Sequence, residues 1–322
     1  MSHPFRKLTV ACFLIATASG WSAEPEFTRK QLEMPGKKGA CFTLRDKVNK
    51  RGRKPDAVEN AARIKALNVY WNYTWGGRRS AAQPADIEFV PMVWGAWDKQ
   101  KLKNYLATAV VPEIQAGRAK RLLGFNEPDK KKQANMTYKQ ALKYWPLLES
   151  MNVPLASPGC ANTEGINDDT AQGVKGTWMR DFMREVDKRG YRVDYIAVHA
   201  YHGTSAKHFK AKMKRIYEKY GRRPLLITEF AVADWKAKTP EKNRYSQAKV
   251  LAFMKEVLPW LEKQDFIAGY SWFPFSAASA AGTHSALFDE DGKLTACGRY
   301  YASITTENPN GNQSIKPDDA RK

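Results

Sequence analysis

Two glutamates are the residues of this chain best placed to do chemistry. Glu127 lies in the run Gly124-Phe125-Asn126-Glu127-Pro128-Asp129, and Glu229 sits inside the apolar run Leu225-Leu226-Ile227-Thr228-Glu229-Phe230. Asn126 offers amide donors and an acceptor that can fix a substrate hydroxyl beside an acid. Pro128 ends the preceding strand by withdrawing a backbone donor. For Glu127 the alternative is a solvent-exposed turn carboxylate. For Glu229 it is a structural ion pair, because burying a carboxylate is costly unless it is paired or hydrogen-bonded. Two carboxylates across one cleft are what cleavage of a glycosidic bond requires. One protonates the leaving oxygen, and the other attacks the anomeric carbon or activates water. A separation of about 5–5.5 Å selects the retaining route and a wider one inversion.

Short strand-like runs that alternate with amphipathic stretches must position this pair. Strands are expected at 38–42, 68–75, 87–95, 121–126, 153–160, 194–201, 224–230 and 267–275, each bounded by Gly, Pro or polar residues. Helical spacing fills 56–67, 97–116, 137–151, 177–189, 206–220 and 245–263. The Gly-rich stretch 163–176 reads as a long loop. Eight strands alternating with helices predict an α/β fold, a single (β/α)8 barrel. A doubly wound open sheet is the rival, but no strand is followed by a Gly-rich phosphate fingerprint. In a barrel the chemistry lies at the C-terminal ends of the strands, and strands four and seven bring Glu127 and Glu229 to opposite sides of one cleft.

The remaining strand ends are aromatic or polar: Trp71, Tyr73 and Trp75 on the second, Trp94 on the third, His199, Tyr201 and His202 on the sixth, Trp272 and Phe273 on the eighth. Flat rings beside hydroxyl-binding groups suit a sugar, and Trp272 is expected to face the cleft. His199 and His202 are possible metal ligands, but three residues along a strand place side chains on opposite faces. A hydrogen-bonding role for His199 near Glu229 is the better reading.

Composition bounds the rest. The chain has 322 residues, 43% hydrophobic, which is enough for one large core. Its ten Trp, fourteen Tyr and fourteen Phe fit either a ring-rich core or a ring-lined cleft. Arg6 and Lys7 precede the short apolar run 8–18 and the small residues Ala18, Ser19 and Gly20. That pattern reads as an export signal, 1–22, ahead of a catalytic domain, 23–306, and a polar tail, 307–322. A retained anchor is the alternative. The expected product is a secreted, extracellular or periplasmic monomer with no stable membrane insertion. Cys41, Cys160 and Cys297 follow the signal; one pair could be bridged, and their spacing is not that of a zinc site. The formal net charge of +20 admits anionic partners such as nucleic acid or acidic polysaccharide. The basic residues are spread through segments expected to be helical, 130–132, 207–215 and 236–244, with no nucleic-acid motif. A solvated basic surface is therefore expected rather than a nucleic-acid partner.

These runs in this order resemble glycoside hydrolase family 128, the glycosyl hydrolase catalytic-core group of endo-β-1,3-glucanases. The resemblance spans about 38–301. It is carried by 69–75, 89–95, 122–129, Ser157-Pro158, 193–201, 226–230, 270–273, Ser285-Ala286-Leu287-Phe288, 292–295 and 298–301. It implies that Glu127 is the general acid/base, Glu229 the nucleophile, and Asn126 the ligand of the sugar 2-hydroxyl. Trp272 would be the platform under that sugar, and His199 and Tyr201 would hold the reacting centre. Trp71, Tyr73 and Trp94 would touch substrate. It implies a β-glucan substrate, double displacement with Glu127 kept protonated, and neither metal nor organic cofactor. Thr74 stands where the family more often has Asn, and Ala200 where a larger residue is commoner. These departures bear on glucan length and curvature. The rivals are a retaining glycosidase of the same clan acting on an acidic or mixed-linkage polysaccharide, and a non-catalytic β-glucan-binding barrel.

Overall fold

A computed structural model describes residues 27–49, 52–164 and 178–305. The expected signal, most of the 163–176 loop and the tail lie outside the described residues. Eight parallel strands occur where the sequence places them: β1 (Lys38–Ala40), β2 (Trp71–Asn72), β3 (Glu88–Phe89), β4 (Leu122–Leu123), β5 (Leu155–Ala156), β6 (Ile196–His202), β7 (Leu225–Val232) and β8 (Ile267–Trp272). Six pair in the order β3-β2-β1-β8-β7-β6, and β4 pairs with β5. Isolated parallel bridges join the two sheets at both seams, Met92 to Leu123 and Ala156 to Tyr195. These pairings follow the strand order of a (β/α)8 barrel, although β2 to β5 are only two residues each.

Between the strands run α1 (Arg29–Leu32), α2 (Ala57–Ala66), α3 (Lys99–Tyr105), α4 (Val111–Gln115), α5 (Tyr138–Glu149), α6 (Trp178–Arg189), α7 (Ala206–Lys219), α8 (Gln247–Lys263) and α9 (Ala296–Ser303). Side-chain caps start several of them. Thr137 and Gln140 form a capping box on α5, and Ser205 and Ser246 cap α7 and α8. The single helix expected over 97–116 is interrupted by a π-helical turn, Leu106–Val110. Pro112 follows at the start of α4 and has no N–H to return to the preceding turn, so the ladder widens there. The basic runs 130–132 and 236–244 lie in turns and a short 3-10 segment rather than in helices.

Two apolar layers hold the barrel. The outer one packs strands against helices through residues such as Ile64, Trp145, Phe182, Phe209 and Phe253. The inner one fills the barrel with Trp71, Tyr73, Met92, Leu123, Tyr195 and Leu226. Trp71 fits because Gly39 faces it; a Cβ there would lie 2.1 Å from the indole. At the foot, Arg121 pairs with Glu88 at 2.7 Å and with the Tyr195 hydroxyl, which donates to Leu32 O of α1.

The strand faces are not set by simple alternation. The β7–β8 register shifts between Leu225 and Leu226, whose partners are Ile267 and Gly269, so β8 carries one extra residue at Ala268. A one-residue slip turns every later side chain to the other face. Tyr270 and Trp272 consequently point into the outer layer. A second shift, between Ile227 and Phe230, leaves Phe230 in the outer layer while the Glu229 carboxylate turns inward.

Candidate active site

The carboxylates of Glu127 and Glu229 meet at the C-terminal end of the barrel, with His199 between them. One side-chain atom from each of these three residues lies within 4.8 Å of the others. His199 Nδ1 is 3.1 Å from Glu127 Oε1 and 3.5 Å from Glu229 Oε2. All three residues are buried. The His199 ring is accommodated by Gly159, where a Cβ would stand 2.7 Å from Nε2.

Glu229 is held from three sides. Trp75 Nε1 donates to Oε1 at 2.8 Å, the Tyr73 hydroxyl reaches the same oxygen at 3.2 Å, and the Tyr201 hydroxyl donates to Oε2 at 2.5 Å. Trp71, Tyr73 and Trp75, two residues apart, form a column through the barrel. Ring centroids lie 6.4 Å apart for the lower pair and 5.1 Å for the upper. Burial, then Glu229 itself, pushes the phenols of Tyr73 and Tyr201 well above their ordinary range, so both stay donors.

Glu127 is positioned by its backbone. Its amide donates to Gly159 O at 2.8 Å and its φ is +39°, the left-handed region in which a non-glycine is strained. Asn126 donates from Nδ2 to Gln133, while its buried Oδ1 has no hydrogen-bond partner among the described residues. Asp129 turns back to accept from the amides of Ala161 and Asn162, tying the β4 end to the β5 end.

The electrostatics differ from expectation in one respect. Burial works to raise the Glu127 pKa, but the hydrogen bond and charge of His199, with Lys130, bring it below the ordinary carboxylate value. For His199 burial works downward, yet Glu229, Glu127 and Asp129 together raise it. These shifts favour a charged Glu127 beside a protonated His199, against the expectation of a protonated Glu127. Glu127, His199 and Glu229 are also the one group of acidic and imidazole side chains, among the described residues, that could hold a metal ion. His202 is not part of it. It points to the opposite face, 5.9 Å from the Phe209 ring, and burial and Lys212 bring it down to about 4.

The structure brings Glu127, Glu229, Asn126, His199, Tyr201 and the half-buried Trp94 to this end of the barrel, and it corrects three assignments. Trp272 is no sugar platform. It is 1% exposed, packs on Phe230 and Phe253, and donates Nε1 to Ser285 O, because the β8 bulge turns it outward. Trp71 is no substrate contact. It is fully buried low in the barrel and donates to Lys37 O. Tyr73 is fully buried beneath Glu229 and supports that carboxylate rather than a ligand. Two strand-end aromatics given no role by the sequence take their places at the rim: Trp75, legible as the top of the 71-73-75 alternation, and Phe273, whose ring lies 6.1 Å from Trp75 and 5.4 Å from Tyr201. Beyond them opens a cavity of about 440 Å³, lined by Trp75, Phe273, Phe275, Asn60, Arg63 and Glu290 among others. Cys41 and Cys297 are buried free thiols, so no bridge forms among Cys41, Cys160 and Cys297.

Comparison with known proteins points the same way. The family model described as Glycosyl hydrolase catalytic core matches residues 50–301. No curated protein matches. Among solved structures, a mutant of a family 128, subgroup I endo-β-1,3-glucanase from Amycolatopsis mediterranei, in complex with laminarihexaose, is similar. Its TM-score is 0.65 at 28% identity, over 84% of this chain and 99% of that one. A subgroup II endo-β-1,3-glucanase from Sorangium cellulosum gives 0.64 at 25% identity, over 84% and 100%. A subgroup V exo-β-1,3-glucanase from Cryptococcus neoformans shares the fold, at 0.61 and 24% identity, over 83% and 98%.

Proposed function

This chain belongs to the glycosyl hydrolase catalytic core family and is a glycoside hydrolase, and we propose that it is an exported, retaining endo-β-1,3-glucanase. The substrate class follows from its likeness to family 128 β-1,3-glucanases, one of them in complex with laminarihexaose. Export follows from the charged flank and short apolar run at the N-terminus.

The observation that carries the mechanism is the closeness of the carboxylates. Oxygens of Glu127 and Glu229 lie within 4.8 Å, a short separation that supports retention over inversion. Glu229, oriented by Trp75, Tyr73 and Tyr201, attacks the anomeric carbon. Its three donors fix the carboxylate before the reaction and reduce the reorganisation the attack requires. Glu127 protonates the departing glycosidic oxygen. His199 Nδ1, whose protonated form its raised pKa favours, is in hydrogen-bond contact with Glu127 Oε1 and can pass it a proton. A sugar ring that displaces water deepens the burial, which already favours a neutral carboxyl, and moves that proton onto Glu127. In the second half, Glu127 takes a proton from water, whose oxygen attacks the glycosyl–Glu229 ester and frees Glu229. Asn126 Oδ1, buried and without a partner among the described residues, accepts from the sugar 2-hydroxyl.

Proton NMR of the first sugar released from laminarin tests both parts. The β-anomer is expected before mutarotation. The α-anomer would overturn retention, and no release from laminarin or curdlan would overturn the substrate assignment.

A further inference from the structure

Four large hydrophobic side chains stand exposed among the described residues: Val48, Val58, Trp97 and Trp235. Both tryptophans are on loops at the catalytic end of the barrel. Trp235 follows β7 and is 62% exposed; its ring meets Tyr201 at 5.3 Å and Phe275 at 5.9 Å, edge to face. Tyr201 in turn bonds Glu229. Trp97 follows β3 and is 56% exposed; its ring lies 6.0 Å from Trp94, whose carbonyl accepts from the Asn126 amide. One indole therefore adjoins the nucleophile wall and the other the acid/base wall.

Neither ring is loosely held. The buried Asp234 carboxylate accepts from the amides of Lys236 and Arg244, and Asn243 Nδ2 clamps the same loop to Ala280 O and Ala281 O. On the other wall, Trp97 Nε1 donates to Ala134 O and the Tyr144 hydroxyl to Trp97 O. A fixed aromatic face left in water gains little for the fold and loses little entropy on receiving a flat apolar ligand. The C–H face of a pyranose is such a ligand.

We propose that Trp235 and Trp97 are outer sugar-stacking platforms on opposite walls of the cleft. A chain that touches both must run through the catalytic pair, so the arrangement selects cleavage within a glucan. This deepens the function proposed above and rests on it.

The test is calorimetric titration of laminarihexaose into the inactive Glu229→Gln protein and into the same protein carrying Trp235→Ala or Trp97→Ala. Each alanine is expected to raise Kd roughly three- to tenfold, the range of one aromatic stacking contact. Tyr at either position should restore binding, and melting temperatures should stay put because both rings are more than half exposed. Unchanged Kd in either variant, with wild-type enzyme hydrolysing laminarin, overturns this inference and leaves the function standing. Wild-type protein that hydrolyses no β-1,3-glucan overturns both.

Discussion

His199 Nδ1 stands 3.1 Å from Glu127 Oε1, and this contact couples the titration of the two side chains. The imidazole also faces Glu229 at 3.5 Å. Two carboxylates face one imidazole, so a proton lost from the site belongs to the group rather than to any single residue.

The pH profile should show this. His199 is raised above its ordinary 6.5 and Glu127 lowered below 4.5. The alkaline limb of kcat/KM is expected above 6.5, where the shared proton leaves. In His199→Gln the limb should move toward acid, into the carboxylate range. A limb that stays in place would remove His199 from the proton inventory. Stability follows the same signs. A raised histidine stabilises fully below 6.5, and that contribution is lost as pH rises through its folded value. A lowered carboxyl stabilises fully above 4.5, and that is lost as pH falls through its folded value. The stability gap between wild type and His199→Gln should be widest between 4.5 and 6.5.

Removing a donor from Glu229 should slow turnover while leaving binding nearly intact. Hydrogen bonds to a charged group contribute about 1.5–3 kcal/mol. Tyr201→Phe and Trp75→Phe should therefore each lower kcat roughly ten- to a hundredfold. Steady-state kinetics on laminarin would show it. A rise in KM at constant kcat would assign these residues to substrate binding instead.

The carboxylates themselves should separate by leaving group. Glu229→Ala is expected to abolish turnover of every substrate. Glu127→Gln loses about 10²–10⁴-fold on laminarin, yet should lose far less on a dinitrophenyl glycoside, which departs without protonation. Circular dichroism should be unchanged in both. Equal losses on both substrates would deny Glu127 the acid role.

Trp272 should matter for stability. It is 1% exposed between Phe230 and Phe253. Trp272→Ala should cost about 3–5 kcal/mol of folding free energy, read by urea unfolding. Trp272→Phe should keep the wild-type KM, and a large rise would return the residue to the cleft.

Strand number, strand order and the two glutamates were legible because each rests on local pattern: apolar runs between Gly and Pro, and a carboxylate within one of them. The roles of Trp272 and Phe273 were not. Their faces depend on an extra residue at Ala268, a bulge with no mark in the sequence, and the alternation read across it was one residue out of phase. The ring types of Trp71 and Tyr73 suggest substrate contacts, but height in the barrel decides between filler and contact, and height depends on tertiary packing. The raised pKa of His199 is not legible for the same reason, because it depends on Glu229 of β7 and on Glu127 and Asp129 after β4.

The buried cysteines bear on how the protein is made. No cross-link joins Cys41, Cys160 and Cys297, and burial pushes the Cys297 thiol up to about 11 and that of Cys41 well above the ordinary range. Such thiols are poorly ionised and slow to react. Among the described residues, Cys41 and Cys297 then tie the cohesion of the barrel to no redox change. Dithiothreitol should leave the melting temperature where it is, so recombinant enzyme can be folded in a reducing cytosol without loss.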